Sequence, residues 1–427
     1  MTTLNSNSTQ QTVQHLTLDN GITLIVIENP TADIIASKLY IKNAGTRVES
    51  MSQAGVSHLL STVITKGTEN LNAAEIAEKI EALGAGLNAE TANDYFAMGL
   101  KTVSQDFSEM LQLLGEMIRF PSLPETEIEL EQSLTLQNII AQKEQPFNLA
   151  FNQLRSQMYP EHPYGVSVLG TEATVSSLTR ADLKTYHETY FRPDQLVISI
   201  AGRITLKQAV EEVTAVFGDW KRPKTPLPTP TLPTLTAKPS EKFLSQNTQQ
   251  TIIMLGYLSP SIQDADYPVL KLINTYLGNG LSSRLFVELR EKQGLAYDVS
   301  AFYPTRLEPS HFVTYIGTAP DNVDIALKGL KKEAQRLCEV QLTTEELQAS
   351  KNKLLGQYAL AKQSNGQLAQ LYGWYETLNQ GVEFDDRFQE MIADVTSEEM
   401  QIVAQKYLQI EPYLSVVGIS ENTIKQE

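Results

Sequence analysis

Apolar positions along the chain form short runs with strand character, separated by longer stretches with helical spacing, and this succession occurs twice. VQHLTL and ITLIVIE flank Asp19, Asn20 and Gly21, so residues 13–28 predict a β-hairpin. Residues 34–41 predict a further strand. The stretch AGVSHLLSTVITKGT (54–68) predicts a helix ending near Gly67. The helix of 72–83, with Ile76, Ile80 and Leu83 on one side, stops at Gly84 and Gly86. In 93–102, Phe96, Met98 and Leu100 alternate with smaller or polar residues, the mark of a half-buried strand. Phe107, Met110, Leu111, Leu114, Met117 and Ile118 then follow a helical period. Pro121 and Pro124 break the chain before a long helix from 125 to about 143. Shorter helices up to 190, a strand at 196–201 (LVISIA) and a helix at 206–217 complete a first half.

Between 221 and 240 stand Pro223, Pro226, Pro228, Pro230, Pro233 and Pro239, with threonines among them. Such a segment favours an extended, stiff connection over helix or central strand. It divides the chain into domains at 12–220 and 241–427. The second half predicts a strand at 251–256, helices at 268–277 and 281–289, strands at 295–302 and 311–317, and helices at 322–337 and 344–362. Thr343 and Glu346 have the spacing of a capping box. Leu178-Thr179, Asp182-Leu183, Tyr190 and Gly202 are echoed by Val395-Thr396, Glu399-Met400, Tyr407 and Gly418. Thr179 to Thr396 is 217 positions and Gly84 to Gly294 is 210, so two separate landmarks give nearly one offset, as a duplicated domain requires. Runs of helices with hairpin-like strands indicate an α+β fold: two duplicated domains, each a mostly antiparallel or mixed sheet with helices packed on one side.

Composition narrows the function. A formal charge of -16, from 34 basic and 50 acidic groups, argues against a broad nucleic-acid surface or an anionic membrane as partner. Cys338 is the single cysteine, which excludes an internal disulfide and a cysteine-ligated metal cluster, and the cytoplasm is the expected compartment. Residues 1–14 lack a basic start and an apolar core and read as a polar tail rather than a signal peptide. No apolar run is long enough to span a membrane.

The chemistry concentrates on the helix of 54–68. His58, Ser61 and Thr62 stand at i, i+3 and i+4 and so share a face, but only the histidine is a good transition-metal ligand. Stable zinc sites draw three or four ligands from Cys, His and carboxylate, and a serine hydroxyl is no base near neutrality. His15, Glu129 and Glu131 are available for rebuilding a site, though nothing in their spacing suggests one. The glycines of Leu83-Gly84-Ala85-Gly86 and Gly278-Asn279-Gly280 match no phosphate-loop pattern and read as helix stops. Tyr257, Tyr358, Tyr372, Trp374 and Tyr375 read as core or interface aromatics, and His162 and His187 as structural or surface residues.

AGVSHLLSTVITKGT with the following EIAEKIEALGAGLNAETANDYFAMGL resembles the N-terminal domain of the insulinase/pitrilysin family of zinc metallopeptidases, in the subgroup that includes the mitochondrial processing peptidase. GLSSRLFVELREKQGLAYDVSAF resembles that family's C-terminal signature. The resemblance covers nearly the whole chain beyond the tail. Active members carry H-x-x-E-H on a helix, and here that frame reads His58-Leu59-Leu60-Ser61-Thr62, with the base and the second ligand replaced. The third ligand, a glutamate about 75 residues onward in the family, falls on Asn138, while an accompanying acid is kept as Glu131. The resemblance further implies that Arg290 and Tyr297, seven residues apart, reach toward the substrate backbone and the scissile carbonyl.

These matches imply a non-catalytic, peptide-binding subunit that holds no metal and supplies Arg290 and Tyr297 to a homologous, zinc-bearing partner chain in a heterodimer. No hydrolysis is expected of the chain alone, and its state in isolation, a homodimer included, stays open. The competing readings are a scaffold or assembly protein of the same fold, in which Arg290 and Tyr297 are dispensable, and an independent hydrolase with a rebuilt site.

Overall fold

The computed structural model describes residues 12–246 and 248–418; most of the predicted polar tail at 1–14 lies outside them. The N-terminal half runs β1 (Val13–Thr17), β2 (Thr23–Glu28), β3 (Ile34–Lys42), α1 (Val56–Val63), α2 (Ala73–Ala82), β4 (Gly86–Thr91), β5 (Tyr95–Val103), α3 (Phe107–Arg119), α4 (Glu125–Lys143), α5 (Pro146–Met158), α6 (Glu172–Ser177), α7 (Arg180–Tyr190), β6 (Leu196–Gly202) and α8 (Leu206–Phe217). No helix or strand occurs between Phe217 and Glu241. The second half runs β7 (Glu241–Leu244), β8 (Thr251–Ser259), α9 (Tyr267–Gly278), a π-helical turn (Phe286–Glu291), β9 (Asp298–Phe302), β10 (Ser310–Thr318), α10 (Val323–Glu339), α11 (Thr344–Leu360), α12 (Asn365–Thr377), α13 (Phe384–Asp394), α14 (Ser397–Leu408) and β11 (Tyr413–Val417).

The architecture is α+β. The first sheet has the order β1-β2-β6-β3-β5-β4 and the second β7-β11-β8-β10-β9. Apart from β1, the two have one topology. In each, the first two strands of the matching five are parallel and every later pair is antiparallel. The landmarks that suggested duplication occupy equivalent places. Gly84 and Gly294 adopt φ of +57° and +66° ahead of the edge strands β4 and β9, and Thr179 and Thr396 both close capping boxes.

Each half's own helices cover one face of its sheet. In the first half, Leu24, Val26, Leu39, Met98 and Ile198 pack against Leu59, Leu60, Met110, Leu114 and Val213. The opposite face receives a helix from the other half. Leu368, Ala369 and Tyr372 of α12 lie on Ile25, Ile27, Tyr40 and Val197, while Ala150, Leu154 and Met158 of α5 lie on Ile252, Met254, Val313 and Tyr413. This exchange explains why LIVI in β2 and IIML in β8 are continuously apolar: both faces of these strands are buried. Two glycines permit the close approach. A Cβ on Gly373 would sit 2.7 Å from Tyr40 Cε2, and one on Gly256 would sit 2.7 Å from Met158 Sδ.

Polar contacts join the halves as well. Asp94 accepts from the Tyr164 hydroxyl and, at 3.2 Å, from the Leu307 amide. Arg47 pairs with Asp94 and, at 3.1 Å, with Glu308. The Tyr159 hydroxyl lies 3.0 Å from His311 Nδ1.

One predicted helix changes form, and one strand is present that no expectation covered. The helix expected over 281–289 becomes a π-helical turn centred later, in which the Lys292 amide bonds the Val287 carbonyl five residues back. Its Leu289 is buried against Gly329 of α10, where a Cβ would stand 2.6 Å from Leu289 Cδ2. The edge strand β4, unmarked by any strong β pattern, forms by pairing with β5.

Candidate functional site

The helix α1 is anchored at its N-terminus by a buried carboxylate. Glu49 accepts from the Gly55 amide at 2.9 Å, the Ser57 amide at 2.8 Å and the Ser57 hydroxyl at 2.5 Å. The two amides are among the backbone donors a helix start leaves unpaired. Burial pushes the Glu49 carboxyl up to about 7, with the three donors acting in the opposite direction. Gly55 takes a left-handed conformation, φ +96°, and its Cα faces the Leu169 carbonyl so closely that a Cβ would lie 2.7 Å from the oxygen.

His58 is half-buried, and desolvation lowers its pKa, while the charge of Glu131 on α4 raises it. The two hydroxyls that follow are turned onto their own helix. Ser61 Oγ donates to the His58 carbonyl at 2.7 Å, and Thr62 Oγ1 donates to the Leu59 carbonyl at 2.9 Å. Glu131 is held by Lys66 Nζ at 3.2 Å, so this carboxylate near His58 is paired with an ammonium from the turn following α1. Asn138 is exposed on α4. His15, a possible contributor to a rebuilt site, lies on β1 and faces Glu376 of α12 at 3.6 Å, and Glu129 is exposed.

The resulting donor set does not fit zinc. It offers one imidazole, two hydroxyls already bonded to backbone, a carboxylate with its own cation and a neutral amide. Among the described residues, no three His, Cys, Asp or Glu side chains gather as a metal-ligand group.

Arg290 and Tyr297 lie in the second half. The π-helical turn presents Arg290 to solvent with its guanidinium 4.9 Å from the Phe286 ring centroid, and Tyr297 is 58% exposed just before β9. The backbone between them is tightly held. The Gly294 amide bonds the Arg290 carbonyl, the Leu295 amide bonds the Leu289 carbonyl, and the Tyr297 amide bonds the Gly317 carbonyl at 2.9 Å. Thr318 Oγ1 donates to the Leu295 carbonyl at 2.6 Å. Two polar groups are thus displayed from a fixed support, with no hydrogen bond or ion pair linking them to α1 among the described residues.

The remaining candidates are structural. His162 Nδ1 accepts from the Tyr164 amide at 3.0 Å, and His187 Nε2 donates to the Ile118 carbonyl at 2.7 Å. Tyr358, Tyr372 and Lys362 all donate to Asp385, and Tyr375 and Tyr257 are buried. Trp374 packs half-buried against both the second-half core and the α12 interface. Sequence reasoning missed Lys66 and Glu49. Lys66 stands four positions after Thr62, one turn of helical spacing, and that spacing was the available signal.

Comparison with known proteins agrees with the fold and with the family resemblance. Residues 23–172 match the sequence model described as Insulinase (Peptidase family M16), and residues 177–354 match the one described as Peptidase M16 inactive domain. An uncharacterized zinc protease of Streptomyces coelicolor is 28% identical over 413 residues, covering 95% of this chain and 90% of its own length. The uncharacterized zinc protease YmxG of Bacillus subtilis is 28% identical over 379 residues, 86% of this chain and 90% of that one. In three dimensions the fold is similar to that of a protease from Helicobacter pylori, with TM-score 0.88 and 22% identity over 95% of this chain and 99% of that one. It is also similar to a peptidase M16 inactive domain from Pseudomonas fluorescens, with TM-score 0.87 and 23% identity over 96% and 98% of the two chains. On both of its halves, the chain belongs to the insulinase family, peptidase family M16.

Proposed function

We propose that this chain is a non-catalytic, peptide-binding subunit that completes the active site of a homologous zinc metallopeptidase, contributing Arg290 and Tyr297 to the partner that carries an intact H-x-x-E-H. The observation that carries the reading is a contrast within one chain. The helix where a family member would charge its water holds a single imidazole and a Lys66–Glu131 pair. The Arg290 and Tyr297 side chains, by contrast, stand exposed on a tightly bonded support and engage no acceptor among the described residues. A guanidinium and a phenol are donors suited to a peptide carbonyl and to the oxyanion that forms from it. Neither requires a metal in its own chain, and zinc belongs to the partner. The edge strands β4 and β9 each pair on one side only, which leaves backbone groups for an extended peptide to bond.

The test is reconstitution. This chain alone cleaves no peptide and retains no stoichiometric zinc after dialysis, and mixing it with a family member bearing the intact motif produces activity. In the mixture, Arg290→Ala or Tyr297→Phe lowers kcat about 100-fold, the scale of one lost oxyanion donor, while the complex still forms by size-exclusion chromatography. Unchanged turnover in the doubly substituted complex refutes the assignment and favours a scaffold role.

A further inference from the structure

Beside the degenerate metal helix lies a cavity of about 500 Å³ that the proposed function does not use. One wall is α4, where Ile139 and Gln142 stand one and four positions after Asn138. A second is the segment 165–173, whose Leu169 carbonyl and Gly170 abut Ala54 and Gly55 at the start of α1. The third is α5, which turns Ala150, Leu154 and Met158 into the second sheet and presents Asn152 and Arg155 to the cavity.

Arg155 is the unusual member. Among the described residues its guanidinium makes no hydrogen bond and no ion pair. Its Nε is fully buried without a partner, and its nearest support is the Phe151 ring, 5.6 Å from the guanidinium carbon to the centroid. The groups that act on its charge are low-polarity surroundings and a second cation, Arg306, and together they lower its pKa to about 10. The acid on the cavity wall, Glu172, is already paired with Lys143. A charge held mostly out of water without a counter-ion is costly. Here it faces a space lined otherwise by the paired Lys143 and Glu172, by amides and hydroxyls, and by apolar side chains.

We infer that this cavity is an anion subsite in which Arg155 receives a carboxylate of a bound peptide, either the C-terminal carboxylate or an acidic side chain. The inference rests on the peptide-binding part of the function proposed above. A planar guanidinium matches a carboxylate in a two-bond fork, and the amides of Gln142 on the α4 wall and Asn152 on the α5 wall offer further donors. The subsite adjoins α4 one turn beyond Asn138, so a peptide anchored there runs past the His58 region. The preferred peptide carries a negative charge despite the chain's own net negative charge.

Heptapeptides carrying an uncharged fluorophore of the BODIPY type at a blocked N-terminus, titrated into the full chain and followed by anisotropy, test this. Three otherwise neutral peptides are compared: a free C-terminal acid, its C-terminal amide, and the amide with one internal glutamate. Tighter binding of either charged peptide than of the neutral amide supports the subsite and identifies the source of the carboxylate. Arg155→Gln weakens that binding about 10- to 100-fold and leaves the neutral peptide unaffected. Gln142→Glu, which sets a competing carboxylate on the cavity wall, produces the same selective loss and decides the matter if Arg155→Gln fails to fold. If neutral and charged peptides bind alike and neither substitution matters, the subsite is refuted while peptide binding stands. If no peptide binds the wild-type chain, both readings fall.

Discussion

Replacing Glu49 by glutamine changes how stability depends on pH, and the sign follows from the burial of its carboxyl. In the folded chain this group lies beneath the start of α1, and its pKa rises from 4.5 to about 7. The folded state therefore holds a proton that the unfolded chain releases between those two values. The stability the protonated group contributes is complete below pH 4.5 and is lost as pH rises through about 7. Each tenfold difference in proton affinity between the folded and unfolded chain is worth about 1.4 kcal/mol, so the full span is on the order of 3 kcal/mol. Glutamine keeps one acceptor oxygen but turns an NH2 toward donors, which adds a cost that does not vary with pH. The informative quantity is thus the slope and not the offset. Urea denaturation of both proteins from about pH 4.5 to 8, read by tryptophan fluorescence and far-UV circular dichroism, should show the wild type losing stability relative to Glu49→Gln by about that amount. Parallel profiles would refute the reasoning and mean that the amides of Gly55 and Ser57 hold the carboxylate ionised throughout.

Two further expectations follow from the packing and the donor set. Gly373→Val places a Cβ 2.7 Å from Tyr40 Cε2 and 3.0 Å from Ser199 Cβ, so it should cost about 1–3 kcal/mol of overpacking and expose the α12 junction to limited proteolysis; an unchanged melting temperature and digestion pattern contradict the exchanged-helix account. Ser61→Glu with Thr62→His and Asn138→Glu introduces the base and the two ligands that the resemblance implies, and adding Lys66→Ala releases Glu131 from its pair, so zinc retained after dialysis should rise again with the fourth substitution. Equal zinc content with and without Lys66 shows that the ammonium does not compete with the metal.

Much was legible before folding. Period and punctuation located most helices and strands, because strands such as LVISIA and helices such as 107–120 bury faces that their own residues define. The offset between Thr179 and Thr396 revealed the duplication, since capping boxes and turn glycines are local devices that survive in each copy. That Ser61, Thr62 and Asn138 bring only hydroxyls and a neutral amide was legible from their identities, because a metal site needs particular atoms and not merely a suitable pattern. What required the folded chain was every relation between distant segments. That α5 and α12 cross to the opposite sheets was hidden because an apolar helix face does not say which sheet it covers. The pairing of Lys66 with Glu131 and the seat of Leu289 on Gly329 are contacts between elements far apart in sequence, and the burial that leaves the Arg155 guanidinium without a partner among the described residues is likewise a product of long-range packing. Local pattern fixes which surfaces seek burial and which groups seek a partner, whereas the partner itself is set by long-range packing.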